Sequence, residues 1–197
     1  MGASILGPLQ GDNAESGVNE ASVVTEPKRP TVGGGPMRNA MYLMIAAALV
    51  ALFGTVAVAT GWIPSDHRVA RHWQTALWAV LLVLSVHTLI LFYFLATGKQ
   101  LRVLMETSGR GVNQGFLVEL RGFKSRVFPW VMGALGVTIA AFIVGAGVRV
   151  GALPGWIHSF LGLATVVINL VTAGIEITCI HRNSQIIHAI EAEYLAS

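Results

Sequence analysis

Four long apolar runs, at roughly 40–61, 74–97, 127–148 and 157–180, constrain this chain more than any other feature. Each is at least about 20 residues long, enough to cross a bilayer core of about 30 Å as a helix. Only 12% of the residues are charged and 54% are apolar, whereas a soluble globular domain carries about 25% charged residues. Hydrocarbon asks for no charged coat, so the pattern predicts an all-α integral membrane four-helix bundle over 37–197. The 197 residues leave too little chain outside the membrane for a second folded domain. Cys179 is the single cysteine. It excludes an internal disulfide and reads as a small buried apolar residue.

Residues 1–36 are rich in Gly, Ser, Pro, Asn and Glu and end in Pro27-Lys28-Arg29-Pro30 and Gly33-Gly34-Gly35-Pro36. Such a segment buries too little apolar surface to offset its ordering entropy, so a disordered tail is expected. It has no basic start followed by an apolar stretch, as a secretory signal would, and no Ser or Thr at position 6 for myristoylation. Basic residues set the expected topology. Lys28, Arg29 and Arg38 precede the first run, Lys99, Arg102, Arg110, Arg121, Lys124 and Arg126 lie between the second and third, and Arg182 follows the fourth. The opposite side holds Arg68, Arg71 and Arg149. The positive-inside rule then puts the N-terminus, the C-terminus and the middle connection in the cytoplasm, in a bacterial cytoplasmic (inner) membrane. Trp62, Trp73 and Trp156 mark the outer interface and Trp130 the inner one, since indole rings favour headgroup depth.

The connection 98–126 has its own pattern. Phe116, Leu117, Leu120, Phe123 and Val127 recur at helical spacing, with Glu119, Arg121, Lys124 and Arg126 between them. Two readings fit: an amphipathic helix on the inner leaflet, presenting Arg121, Lys124 and Arg126 to anionic lipid, or a helical lead-in to the third span. Beyond the fourth span, Ile180, Ile187, Ile190 and Tyr194 keep a helical rhythm through a more polar segment. A helical extension over 181–197, open to a partner, is expected.

The first and third runs end alike. Gly61-Trp62-Ile63-Pro64 matches Gly151-Ala152-Leu153-Pro154 ninety positions later, with Ala51 against Ala141 and Val58 against Val148. A histidine and another apolar run follow each proline, as in two tandem helical hairpins. Small residues at four-residue spacing, Ala141 with Gly145 and Gly147 with Gly151, allow the close helix contact that packing in lipid requires.

His87, Asn169 and Glu176 interrupt the apolar runs, and intramembrane polar groups are functional candidates by default. Counting residues from the middle of each run places His87 and Asn169 at nearly one depth and Glu176 about 12 Å nearer the cytoplasm. A His87–Asn169 link between the second and fourth helices is expected, with Glu176 reaching Arg126, Arg182 or water. Histidine also raises the question of haem b, which needs two imidazoles facing each other at one depth. By the same count His158 and His181 are too far from His87, whereas His67 or His72 stands opposite His158 at the outer ends. That set would hold a haem, or a metal together with Asp66. No phosphate loop, HExxH, CxxC or nucleophile elbow is present, and no basic cluster interleaved with aromatics points to nucleic acid.

Three functions fit these residues. The leading one is a non-catalytic membrane subunit that anchors or assembles a larger complex, such as a respiratory one, through lipid-embedded contacts with other subunits or with itself. The second is a haem b electron-transfer protein. In helix number and buried histidine the chain resembles the four-helix membrane subunits that carry b-type haem in respiratory complexes, and that resemblance implies electron transfer where a ligand pair exists. The third is a small oligomeric transporter or channel.

Overall fold

Residues 35–64, 66–107 and 113–195 are described by the computed structural model, and over them the chain forms four α-helices and no strand. Helix α1 spans Gly35–Thr60, α2 Arg68–Thr107, α3 Gln114–Arg149 and α4 Gly155–Leu195. All four are long and apolar enough to cross a membrane. Their outward faces are apolar too: Leu43, Val50, Phe92, Ile143 and Phe160 are largely exposed. Hydrocarbon accepts such a surface, and helices satisfy their own backbone groups within it. The protein is therefore an all-α integral membrane four-helix bundle. Of the expected tail 1–36, only Gly35 and Pro36 fall within the described residues, and they open α1. Proline suits a first turn, where its missing N–H has no helical partner to lose.

The two ends read from the Gly and Pro residues have a physical cause. Gly61 and Gly151 adopt positive φ angles of 82° and 74°, a conformation that costs glycine little and other residues more. After α3 the Gly151 N–H donates to the Val148 carbonyl at 3.0 Å and the Ala152 N–H to the Gly147 carbonyl at 2.9 Å. This is the paired closure of a Schellman motif. Pro64 and Pro154 then prevent the helices from resuming. At its other end α3 is capped by Asn113, whose side chain accepts from the Gly115 N–H at 3.0 Å.

The connection expected over 98–126 is mostly helix. α2 continues to Thr107 and α3 starts at Gln114, so 114–126 is a lead-in continuous with the third span rather than a separate interfacial helix. Burial explains this: Leu101, Met105, Leu117 and Phe123 pack into the core, and continuous helices keep that apolar stripe facing one direction. Arg121, Lys124 and Arg126 lie on the exposed side of the same stretch.

Helix α1 packs on α2 and α4, and α3 packs on the same two, while α1 and α3 do not approach each other. α2 and α4 meet across the middle. They run parallel, because His72 meets His158, His87 meets Asn169 and Glu176, and Thr97 meets Asn183 in ascending order. Exchanging hairpin α1–α2 for hairpin α3–α4 maps every packed pair onto another packed pair. The register of this exchange is 86 residues, the separation of the bonded pair Thr97–Asn183. Val83 and Asn169, Val86 and Thr172, Ile90 and Glu176, Ile45 and Val131, and Ala48 and Ala134 are all buried at that same spacing. The spacing of 90 read from the Gly–Pro motifs therefore corrects to 86 for the packed faces. α3 simply runs about one turn further than α1 before its terminating glycine.

Gly61→Ala is expected to destabilise the bundle by about 1 kcal/mol, because a Cβ there is strained and meets the Arg68 guanidinium at 3.3 Å. Gly54→Ala, inside α1 with open space around it, is expected to be neutral or stabilising. Thermal unfolding in detergent distinguishes the two.

Candidate functional site

One end of the bundle carries the α1–α2 and α3–α4 turns, and a cavity of about 650 Å³ opens there between all four helices. Its size falls within the range of about 300–1,000 Å³ typical of ligand and cofactor sites. The walls are apolar and rich in small residues, among them Ala76, Ala141, Gly145 and Gly162. Each hairpin contributes one histidine: His72 from the first turns of α2 and His158 from the first turn of α4. Their ring centres lie 6.0 Å apart with the planes at 76°.

Both rings are oriented in the same way. His72 Nδ1 lies 3.3 Å from the Thr55 carbonyl of α1, and His158 Nδ1 lies 3.1 Å from the Ala141 carbonyl of α3, each 17 residues back along the chain. A carbonyl only accepts, so each Nδ1 carries the hydrogen and donates it. Each neutral imidazole then keeps the Nε2 lone pair for another partner. Fixing one ring nitrogen on a carbonyl is the usual way a metal-binding histidine is oriented. Gly145 makes room for this arrangement, since a Cβ there would sit 2.8 Å from Cε1 of His158. The four-residue spacing of Ala141 and Gly145 is visible in the sequence as a packing signal; its use as a seat for an imidazole depends on how α3 and α4 meet. Arg149 closes the cavity wall near the turns.

The other histidines singled out from the sequence do not join this pair. His67 is exposed in the turn before α2 and does not line the cavity. Asp66 is exposed as well, and among the described residues no group of three or more His, Cys, Asp or Glu side chains gathers as a metal site. His181 is exposed and lies 3.3 Å from the Gln185 amide, and the exposed His188 lies 3.4 Å from Glu191.

Below the cavity, near the middle of the bundle, His87 sits between two side chains of α4. Its Nε2 lies 3.0 Å from Asn169 Oδ1 and its Nδ1 lies 2.6 Å from Glu176 Oε1. The expected partner of Glu176 is therefore corrected: the carboxyl meets His87, while Arg182 is bound to Glu119 at 2.7 Å. Residue counting placed Glu176 too far away because it measures Cα positions. Helical side chains lean toward the N-terminus of their own helix, and glutamate is long enough to return most of a turn. Asn169 and Glu176 are two turns apart on one face of α4, and the imidazole spans the gap between them.

The proton positions follow from the acceptors. Asn169 Nδ2 donates to Thr138 Oγ1 at 3.1 Å and to the Thr165 carbonyl at 2.8 Å. Its Oδ1 therefore faces His87 and can only accept, so Nε2 of His87 carries a hydrogen. One further proton lies between Nδ1 and Glu176, on either the ring or the carboxyl. Glu176 is wholly buried, and its Oε2 has no hydrogen-bond partner among the described residues. Thr138 and Thr165 also line the cavity floor, which joins the two polar regions. Neither threonine stands out in the sequence, because hydroxyls that bond their own helix are common in membrane spans.

No family model, curated protein or solved structure matches the chain.

His87→Leu leaves a buried carboxyl without its partner, and we expect it to cost about 3–5 kcal/mol. The double variant His87→Leu/Glu176→Leu is expected to regain most of that loss. A double-mutant cycle on unfolding in detergent measures this coupling.

Proposed function

We propose that this protein is a b-type cytochrome of a membrane electron-transfer chain, holding haem b between His72 of α2 and His158 of α4. The observation that carries the reading is the pair itself: two imidazoles 6.0 Å apart, each with Nδ1 tied to a neighbouring helix, inside an apolar cavity. His72 and His158 would hold the iron through Nε2, the ring nitrogen that the carbonyl contacts leave available. The cavity volume suits a macrocycle, and its small residues allow a flat ligand to approach the backbone. Bound there, the group would supply one-electron redox chemistry.

The chain's own residues have distinct tasks in this reading. The Thr55 and Ala141 carbonyls hold both rings in the tautomer that leaves Nε2 basic. Gly145 keeps the His158 ring in place. Arg149 offers a positive charge to an acidic substituent at the cavity wall. The apolar lining excludes water and so tunes the potential. With the basic residues facing the cytoplasm of a bacterium, the cavity opens near the outer surface of the inner membrane. The exposed Arg121, Lys124 and Arg126 surface then faces the cytoplasm, where it meets anionic lipid or another subunit.

A non-catalytic anchoring subunit is the second reading. The long polar-faced end of α4 favours it: there Arg182, Gln185 and His188 are exposed well beyond the apolar span. The two readings are compatible if the cytochrome works within a complex.

Protein purified from haem-replete cells is expected to show Soret and α bands in a reduced-minus-oxidised spectrum. His72→Ala and His158→Ala should each abolish them, and Gly145→Val should weaken them. His67→Ala should leave them intact. Colourless wild-type protein would defeat the proposal.

A further inference from the structure

Helix α4 buries a seam against α2 and α3 at alternating spacings of four and three residues: Thr165, Asn169, Thr172, Glu176, Cys179 and Asn183, of which Thr165 donates to the Val137 carbonyl and Thr172 to the Trp130 carbonyl of α3. In a helix packed within lipid these six positions are ordinarily apolar or small. Here every one can bond hydrogen, and none is more than 5% exposed. The seam extends over about 27 Å, close to the thickness of a bilayer core of about 30 Å. Polar groups at this depth are costly, and a continuous line of them calls for a use.

We propose that this seam conducts protons across the membrane, with the Glu176–His87 pair as its mid-membrane carrier. The inference does not draw on the His72–His158 pair. At the turn end the seam begins at Thr165, in the floor of the large cavity. Beside Glu176, His87 and Asn169 lies a void of about 10 Å³, near the minimum that admits a single water. Leu52 lines both this void and the large cavity. Glu176 Oε2 is buried and has no bond among the described residues, which leaves an acceptor for a water on this route.

Toward the other end the seam meets Asn183, whose Nδ2 donates to Thr97 Oγ1 at 3.3 Å. The Tyr93 hydroxyl faces the Asn183 side chain without closing a hydrogen bond of good geometry. The Ser184 hydroxyl is likewise buried without a partner among the described residues. These groups have capacity for hydrogen bonds that the protein does not use, as a path that binds water requires. α1 brings Arg38 and Tyr42 toward Tyr93 of α2, α3 brings Arg126 toward Cys179, and Cys179 itself faces Glu176.

The central step is balanced within the pair. The Glu176 carboxyl passes its proton from Oε1 to His87 Nδ1, leaving a carboxylate beside an imidazolium, and the reverse transfer restores both neutral groups. While His87 keeps the first proton on Nδ1, the Glu176 carboxylate takes a second on Oε2 from a water on one side and gives that proton up to a water on the other, so the pair returns to its starting state with one proton moved.

The test uses purified full-length protein in vesicles of phosphatidylcholine and phosphatidylglycerol. The vesicles are loaded with a pH-sensitive dye and polarised with potassium and valinomycin. Wild-type protein is expected to carry protons several-fold faster than protein-free vesicles. Glu176→Gln, which keeps the shape and offers an amide N–H to His87 Nδ1 but cannot release a proton, should lower the flux to the protein-free level. Thr178→Val, which alters an exposed hydroxyl bonded to its own helix, should retain it. Wild-type flux equal to that of protein-free vesicles overturns the proposal without recourse to any variant. Undiminished flux through Glu176→Gln overturns it as well. A visible spectrum of the same preparation reads the haem proposal separately.

Discussion

A carboxyl and an imidazole in contact at the middle of a hydrocarbon-embedded bundle constrain this structure more than any other interaction. Glu176 is wholly buried and lies 2.6 Å from His87. Neither group meets bulk water at that depth, so each depends first on the other, and Asn169 and Thr138 extend the set. Breaking the contact strands a charge or a lone pair, whereas sliding α4 by one residue along α2 would rotate Glu176 off the shared face. The pair thereby selects one register among the many that apolar helices in lipid would tolerate.

That register has consequences at both ends of the bundle. It brings His72 opposite His158 at one end and Thr97 opposite Asn183 toward the other, each pair 86 residues apart. The matching burial of the two hairpins extends the relation to α1 and α3. The cavity at the turn end is built from equivalent faces of both hairpins, and its two histidines occupy equivalent positions. An approximate two-fold arrangement of this kind suits a ligand that is itself held from two sides.

The centre departs from that symmetry. Val83 and Ile90 occupy, on α2, the places that Asn169 and Glu176 occupy on α4, and Ala173 stands where His87 has its counterpart. One hairpin supplies the single imidazole and the other supplies its two partners, so the polar line belongs mainly to α4. A symmetrical cavity thus lies above an asymmetrical polar seam, and the two proposals draw on these separate features.

Apolar length and scarce charge were enough to establish the four helices, their membrane solvent and their turns, because hydrocarbon permits few alternatives for twenty successive apolar residues. Gly61, Gly151 and the prolines after them marked the hairpin ends through local backbone preference alone. His87, Asn169 and Glu176 stood out as polar residues in apolar runs, and His72 and His158 as an outer set. Depth along the helices also gave the His87–Asn169 link, and His72 was one of two histidines expected opposite His158, whereas the partner of Glu176 was not legible. The Glu176–His87 contact depends on the direction in which a long side chain leans from its helix. The His72–His158 pair depends on α2 and α4 meeting across the bundle, and the 86-residue register depends on the extra turn of α3 hidden behind matching Gly–Pro ends. Segment identity is a property of local composition and solvent. Which residues touch is decided by the rotation and axial shift of one helix against another, which only the packed bundle specifies.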